Sequence, residues 1–157
     1  MIDVKYTWDD KTWHEYFVAM KDFARQSIAV GILGVEASEK HPTAKISVGE
    51  IAAIQEFGTE HIDARPFMKI TMQNKSLVLN TLATAARRVL HKKSSPRQAL
   101  KRAGEVFANA MRQTLLDGVP PPNAQATVDW KGHGDTLIGL SGALYDAIKY
   151  EILGGKK

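Results

Sequence analysis

The chain has 157 residues, long enough to bury a real core, and its hydrophobic (44%) and charged (24%) fractions are ordinary for a globular protein. It contains no cysteine, which excludes a disulfide framework, a cysteine nucleophile and a thiolate metal site, and fits a reducing compartment. The formal net charge of +4 permits contact with an acidic surface without requiring it. No apolar run approaches the ~20 residues that span a bilayer, and the N-terminal stretch M-I-D-V-K-Y-T-W-D-D lacks an apolar signal core, so neither membrane insertion nor secretion is expected.

A helix is predicted over residues 10–25. Trp13, Phe17, Met20 and Ala24 form one stripe, with Tyr16 and Phe23 beside it. Thr7, Asp9 and Thr12 are candidate caps, and Asp9 and Asp10 suit the positive end of the helix dipole. His14 and Glu15 are adjacent, share no helical face, and read as a solvated pair. Residues 27–36, rich in branched apolar side chains, read as a buried strand. Its G-I-L-G lacks both the Lys-Ser/Thr of a phosphate-binding loop and the G-x-G-x-x-G order, so Gly31 and Gly34 read as bulge or packing glycines. Residues 37–45 are polar, contain Pro42, and read as a loop or hairpin tip. Residues 46–48 form either a short return strand or the lead into the next helix, where Ser47 and Glu50 have capping-box spacing.

The segment over residues 47–70 is the most distinctive part of the chain. Between 51 and 67 it reads I-A-A-I-Q-E-F-G-T-E-H-I-D-A-R-P-F. Ile51, Ala52, Ile54 and Phe57 share one helical face, and Gly58 is suited to the left-handed conformation that ends helices. A polar loop follows over 59–64, and Pro66 fixes its own φ while biasing Arg65 toward extended backbone. A rigid loop is therefore expected, pinned between two apolar anchors, Phe57 and Phe67, with charged residues between them. Such a device presents side chains; it is not in itself a catalytic site.

A helical hairpin is predicted over 73–117. Its first helix (73–92) carries Val78, Leu82, Ala85 and Val89, supported by Leu79, Ala86 and Leu90, and ends in a basic turn. Ser95 caps the second, with Pro96 at its first position. Ala99, Leu100, Ala103, Val106, Phe107, Ala110, Met111, Thr114 and Leu115 form its stripe until Gly118 and three prolines end it. Residues 118–135 read as a loop with a short extended piece at 127–130, and 136–143 leads into Leu144-Tyr145-Asp146. In the terminal strand, 147–153, Ile148, Tyr150 and Ile152 alternate with Lys149 and Glu151, and the G-G-K-K tail is expected to fray. The sum is a single α+β domain: a small, mostly antiparallel sheet packed against two long helices plus shorter ones.

The motifs that carry chemistry are few. No triad, zinc signature or paired-carboxylate pattern stands out, and His14, His41, His61, His91 and His133 are scattered among polar neighbours. His133 and Asp135 form the most site-like run, G-H-G-D, but no nucleophile or oxyanion device accompanies them, and a surface loop is the simpler reading. No catalytic residue, cofactor or metal is expected, and the chain does not read as an enzyme. One charged cluster is pronounced: between 87 and 102 lie seven cations, Arg87, Arg88, Lys92, Lys93, Arg97, Lys101 and Arg102. They read as solvated helix ends, or alternatively as a DNA-facing patch of a small basic nucleic-acid-binding module. No aromatic residue is interleaved, so base stacking is not supported.

The order of these motifs resembles the neck, or tail-completion, proteins of tailed bacteriophages, which join head to tail. That family shows an apolar helix ending in E-F-G-T, a short loop, P-A-R-P-F, two long helices, a proline-containing segment, and a leucine-rich T/S-G-x-L before a terminal strand. Here these are E-F-G-T at 56–59, A-R-P-F at 64–67, the helices over 73–92 and 96–117, Pro120 to Pro122, and D-T-L-I-G-L-S-G-A-L at 135–144, together about two-thirds of the chain. Asp63 stands where the pattern has proline, which predicts a less rigid loop, and Leu140-Ser141 loosens the terminal match. The resemblance implies a non-enzymatic structural protein of the virion, assembled in the host cytoplasm. It would form a homo-oligomeric ring that meets head-closure, neck or tail proteins and contacts passing DNA non-specifically. Glu56, Thr59, Glu60, Asp63 and Arg65 are then the expected subunit-interface residues. Arg65 either engages a neighbour's carboxylate or locks its own loop.

Overall fold

The structure is a computed structural model that describes residues 9–40, 45–132, 134, 136, 137 and 141–154. The chain order is α1 (Asp10–Ala24), β1 (Gln26–Ile32), α2 (Gly34–Ser38), α3 (Val48–Phe57), α4 (Phe67–Gln73), α5 (Lys75–Leu90), α6 (Pro96–Asp117), α7 (Gln125–Lys131), α8 (Ala143–Asp146) and β2 (Ile148–Gly154). This is the expected α+β class, mostly helical with a small antiparallel sheet.

Helix α6 is the spine. Ser95 accepts a hydrogen bond from the Gln98 amide while the Gln98 side chain accepts from the Ser95 amide, and Pro96 occupies the first turn, where its missing N–H is not needed. Its 22 residues span about 33 Å and serve two cores in succession. In the first half Ala99, Ala103 and Phe107 pack with Ala85 and Val89 of α5 and with Ala19, Met20 and Phe23 of α1. In the second half Ala108, Met111 and Leu115 meet Phe67, Val48, Ala52, Val119, Leu144 and Ile148.

The two strands lie across both cores. They pair antiparallel, with Ile32 opposite Ile148, Val30 opposite Tyr150 and Ile28 opposite Ile152. The alternation expected of β2 is present: Ile148, Tyr150 and Ile152 are inward, and Lys149 and Glu151 exposed. Contact with α6 is close at Gly104, where an added Cβ would fall within the Tyr150 ring. Tyr150 donates its hydroxyl to Glu105 at 3.2 Å, and Arg112 on the same helix donates to the Ile148 carbonyl at 2.5 Å.

Several local expectations are corrected. Helix α1 half-buries Tyr16, Ala19, Met20 and Phe23 and buries no residue fully, whereas Trp13 and Phe17 are 54% and 64% exposed. The apolar arc is wider than the surface α5 and α6 can cover, and the buried stripe lies roughly a quarter turn from the one expected. Glu15 is not simply solvated, because its carboxylate pairs with Lys92 at 2.6 Å. The strand expected over 27–36 stops at Ile32, and Gly34 at φ 61 starts α2 instead. The helix expected over 73–92 is divided at Asn74, whose side chain accepts from the Leu77 amide and so caps α5. Leu79 and Leu90 do not support its buried face, being 66% and 41% exposed, and Val106 of α6 is likewise 44% exposed. The extended piece expected at 127–130 is helix α7, stapled by a Gln125–Asp129 hydrogen bond and ended by left-handed Gly132. Of the expected loop at 37–45, residues 37 and 38 belong to α2, Lys40 bridges Ser47, and 41–44 lie outside the described residues, as do His133, Asp135, residues 138–140 and the G-K-K end.

Candidate functional site

The loop between α3 and α4 is held from within and from both ends. Ser47 starts α3 with the expected capping box, its hydroxyl accepting from the Glu50 amide at 3.2 Å and its own amide donating to Glu50 at 2.7 Å. The Ser47 amide, and secondly its hydroxyl, hold the Glu50 carboxyl below the usual carboxylate range. After the ten residues of α3, Gly58, at φ 74, ends the helix, and a side chain there would meet the Ile62 carbonyl at 2.8 Å and the Ala64 amide at 2.9 Å. The turn then closes on Thr59, whose amide donates to the Ile62 carbonyl at 2.8 Å and whose hydroxyl accepts from the amides of His61 and Ile62. Three hydrogen bonds on one threonine give the loop an order that proline at position 63 is not needed to supply.

The exit is equally constrained. The Arg65 amide donates to the Gln55 carbonyl at 2.6 Å, tying the loop back to α3. Pro66 has φ −77 and ψ 68, and the Phe67 amide donates to the Arg65 carbonyl at 2.8 Å, which together make an inverse γ-turn centred on the proline. That turn drives Phe67 into the core, where it is fully buried.

Two of the expected interface residues turn inward. Glu56 caps α4: its two carboxylate oxygens accept from the Met68 amide at 2.9 Å and the Lys69 amide at 3.0 Å, placing an anion on a helix N-terminus. Arg65 engages the proline segment, donating from Nε to the Pro121 carbonyl at 2.9 Å and from Nη2 to the Pro122 carbonyl at 3.4 Å. Of the two roles open to it, it fills the one of locking its own loop. Glu60 and Asp63 are exposed, and neither carboxylate makes a hydrogen bond or ion pair with described residues.

Phe57 is not the anchor it was expected to be. It is 80% exposed, the most exposed large apolar side chain among the described residues. Ala52 and Val48 supply the buried face of α3, and Phe57 at the last turn projects past the edge of the core. Ile62, 40% exposed, adds a second apolar group to the same loop. Phe67, Gly58 and Pro66 keep their expected structural parts.

The seven cations have different local surroundings. Lys92, in a left-handed conformation at φ 52, pairs with Glu15 and lies 5.2 Å from the Tyr16 ring centroid. The hydrogen bond to Glu15 raises the Lys92 pKa, and the bond from Lys92 lowers that of Glu15. Arg88 and Arg102 line a groove of about 300 Å³ between α5 and α6, walled also by Thr81, Thr84 and Val106, with Ala85, Ala99 and Ala103 at its base. The Arg88 Nε is buried there without a hydrogen-bond partner. Arg87, Lys93, Arg97, Lys101 and Arg102 are exposed. Among the described residues no cluster of three or more histidine and carboxylate side chains is placed to hold a metal ion, and no helix is long and apolar enough to cross a membrane.

The groups that hold the loop from outside carry no sequence signal. The Pro121 and Pro122 carbonyls and the Glu56 cap lack a spacing signal, because the first contact is 56 residues away in sequence and the second crosses the loop itself. Comparison with models of known families, with curated proteins and with solved structures finds no match for this chain.

Proposed function

We propose that this chain is a non-enzymatic structural protein of a phage virion, a ring-forming subunit of the neck or tail-completion type that joins head to tail. The observation that carries the reading is the segment from Phe57 to Phe67. It bears the E-F-G-T and A-R-P-F motifs of that family, and it is a rigid loop that holds an 80% exposed phenylalanine beside two carboxylates unpaired among the described residues. A loop ordered before binding loses little conformational freedom on docking, which favours its use in assembly. Phe57, Trp13, Phe17, Leu79 and Trp130 are each more than half exposed, apolar surface available to a neighbouring copy. A ring subunit covers such groups with its neighbours. Its partners are other copies of itself and the adjoining head-closure, neck or tail proteins, and its place is the assembled virion.

Electron microscopy of particles assembled without the protein tests the proposal. Separate heads and tails, rejoined on adding the purified chain, are the expected result. Normal, stably joined particles in its absence would overturn it.

A further inference from the structure

Arg88 and Arg102 line a groove between α5 and α6 whose base is alanine, so two guanidinium-bearing side chains flank an apolar floor. An alanine floor gives a phosphodiester backbone nothing to bury, so duplex DNA would use only the two charges. The groove calls instead for a carboxylate carried beside an apolar side chain.

This chain displays that chemistry itself. In the loop over 58–64, Ile62 projects to solvent between Glu60 and Asp63, whose carboxylates have no partner among the described residues. The loop is already ordered by Thr59, so it docks as a rigid unit. We propose that the loop of one copy seats in the α5/α6 groove of the next. Ile62 lies on Ala99 and Ala103, and the two carboxylates meet Arg88 and Arg102. Groove and loop are different surfaces of one chain, so the contact is heterologous and propagates from copy to copy, closing into a ring when the rotation permits. The inference rests on the ring-subunit reading and names one pair of surfaces that meet in the ring, beside the exposed Phe57.

The absence of native cysteine allows a clean test. Ile62→Cys protein is mixed with Val106→Cys protein, oxidised, and resolved on a non-reducing gel beside a control pair of Ile62→Cys with Leu153→Cys. The expected result is a hetero-linked dimer from the first pair and only background from the control. Adding Arg102→Glu to the groove partner lowers the yield about tenfold, as loss of a charge pair worth about 1.4 kcal/mol requires, and adding Asp63→Arg to the loop partner restores it. Raising the salt concentration weakens the link. A yield no higher than the control, or one indifferent to Arg102→Glu, overturns the docking. So does duplex DNA binding that depends on Arg88 and Arg102 in protein that forms no link. The mass of the unmodified chain separates the two levels: rings without the cross-link remove this pairing alone, whereas a monomer at every concentration removes the ring reading with it.

Discussion

Phe57 and Phe67 bracket one loop, follow from neighbouring helices and have the same side chain, yet one is 80% exposed and the other fully buried. The difference lies in the backbone that delivers each. Phe67 is turned inward by the inverse γ-turn at Pro66 and opens α4 with Glu56 capping its amides. Phe57 closes α3 one residue before Gly58, beyond the face on which Val48 and Ala52 are buried. The exit of the loop is thus built into the fold, while its entrance is free to act on something else. An apolar side chain in a patterned helix is not by itself a core residue; what decides is whether another element reaches it.

Phe67→Ala should cost about 3–5 kcal/mol, measured by denaturant unfolding, because a fully buried aromatic side chain leaves a cavity. A loss below about 1 kcal/mol would mean that the exit is not anchored in the core. Gly104→Ala should cost about 1–3 kcal/mol through overpacking, since its Cβ would displace Tyr150 and shift β2 on α6. Glu56→Ala should cost about 1 kcal/mol as the first turn of α4 loses its cap, and Glu56→Gln should recover part of it.

A smaller effect is expected from acid. The Glu50 carboxyl is held low by the Ser47 amide, and Glu15 by Lys92, so folding depresses both pKa values. Their stabilisation is present above the ordinary carboxylate range and is lost as pH falls through the lower folded-state values. Thermal unfolding between neutral pH and that acid window should show a decline that Glu50→Gln makes shallower; an unchanged slope would assign the decline to other carboxylates.

Much of the fold was legible because its signals are local. Ser47 with Glu50 and Ser95 with Pro96 marked two helix starts within a residue, Gly118 marked an end, and the alternation from Ile148 to Ile152 marked a strand. Where the outcome depended on a distant partner, the pattern was insufficient. Nothing near Trp13 and Phe17 in sequence reveals that the α5/α6 pair covers Tyr16 and Met20 instead. Thr127 and Val128 favour extended backbone, yet the 125–129 side-chain pair and Gly132 complete a helical turn around them. Asn74 has the chemistry of a cap, but the continuous apolar pattern on either side concealed the break it makes. For the candidate site, the motif residues and the rigidity of the loop were readable. The inward use of Arg65 and Glu56 and the outward use of Phe57 were not, because each is decided by contacts made after the chain has folded back.

The smallest expected effect on folding carries the central claim, that the entrance of the loop serves assembly and not stability. Sedimentation velocity of Phe57→Ala beside the unmodified chain, at matched concentrations, tests it most directly. Phe57→Ala is expected to be a folded monomer with an unchanged unfolding midpoint, and the unmodified chain is expected to form a larger species. An assembly as large as that of the unmodified chain, or a protein as destabilised as Phe67→Ala, would contradict it.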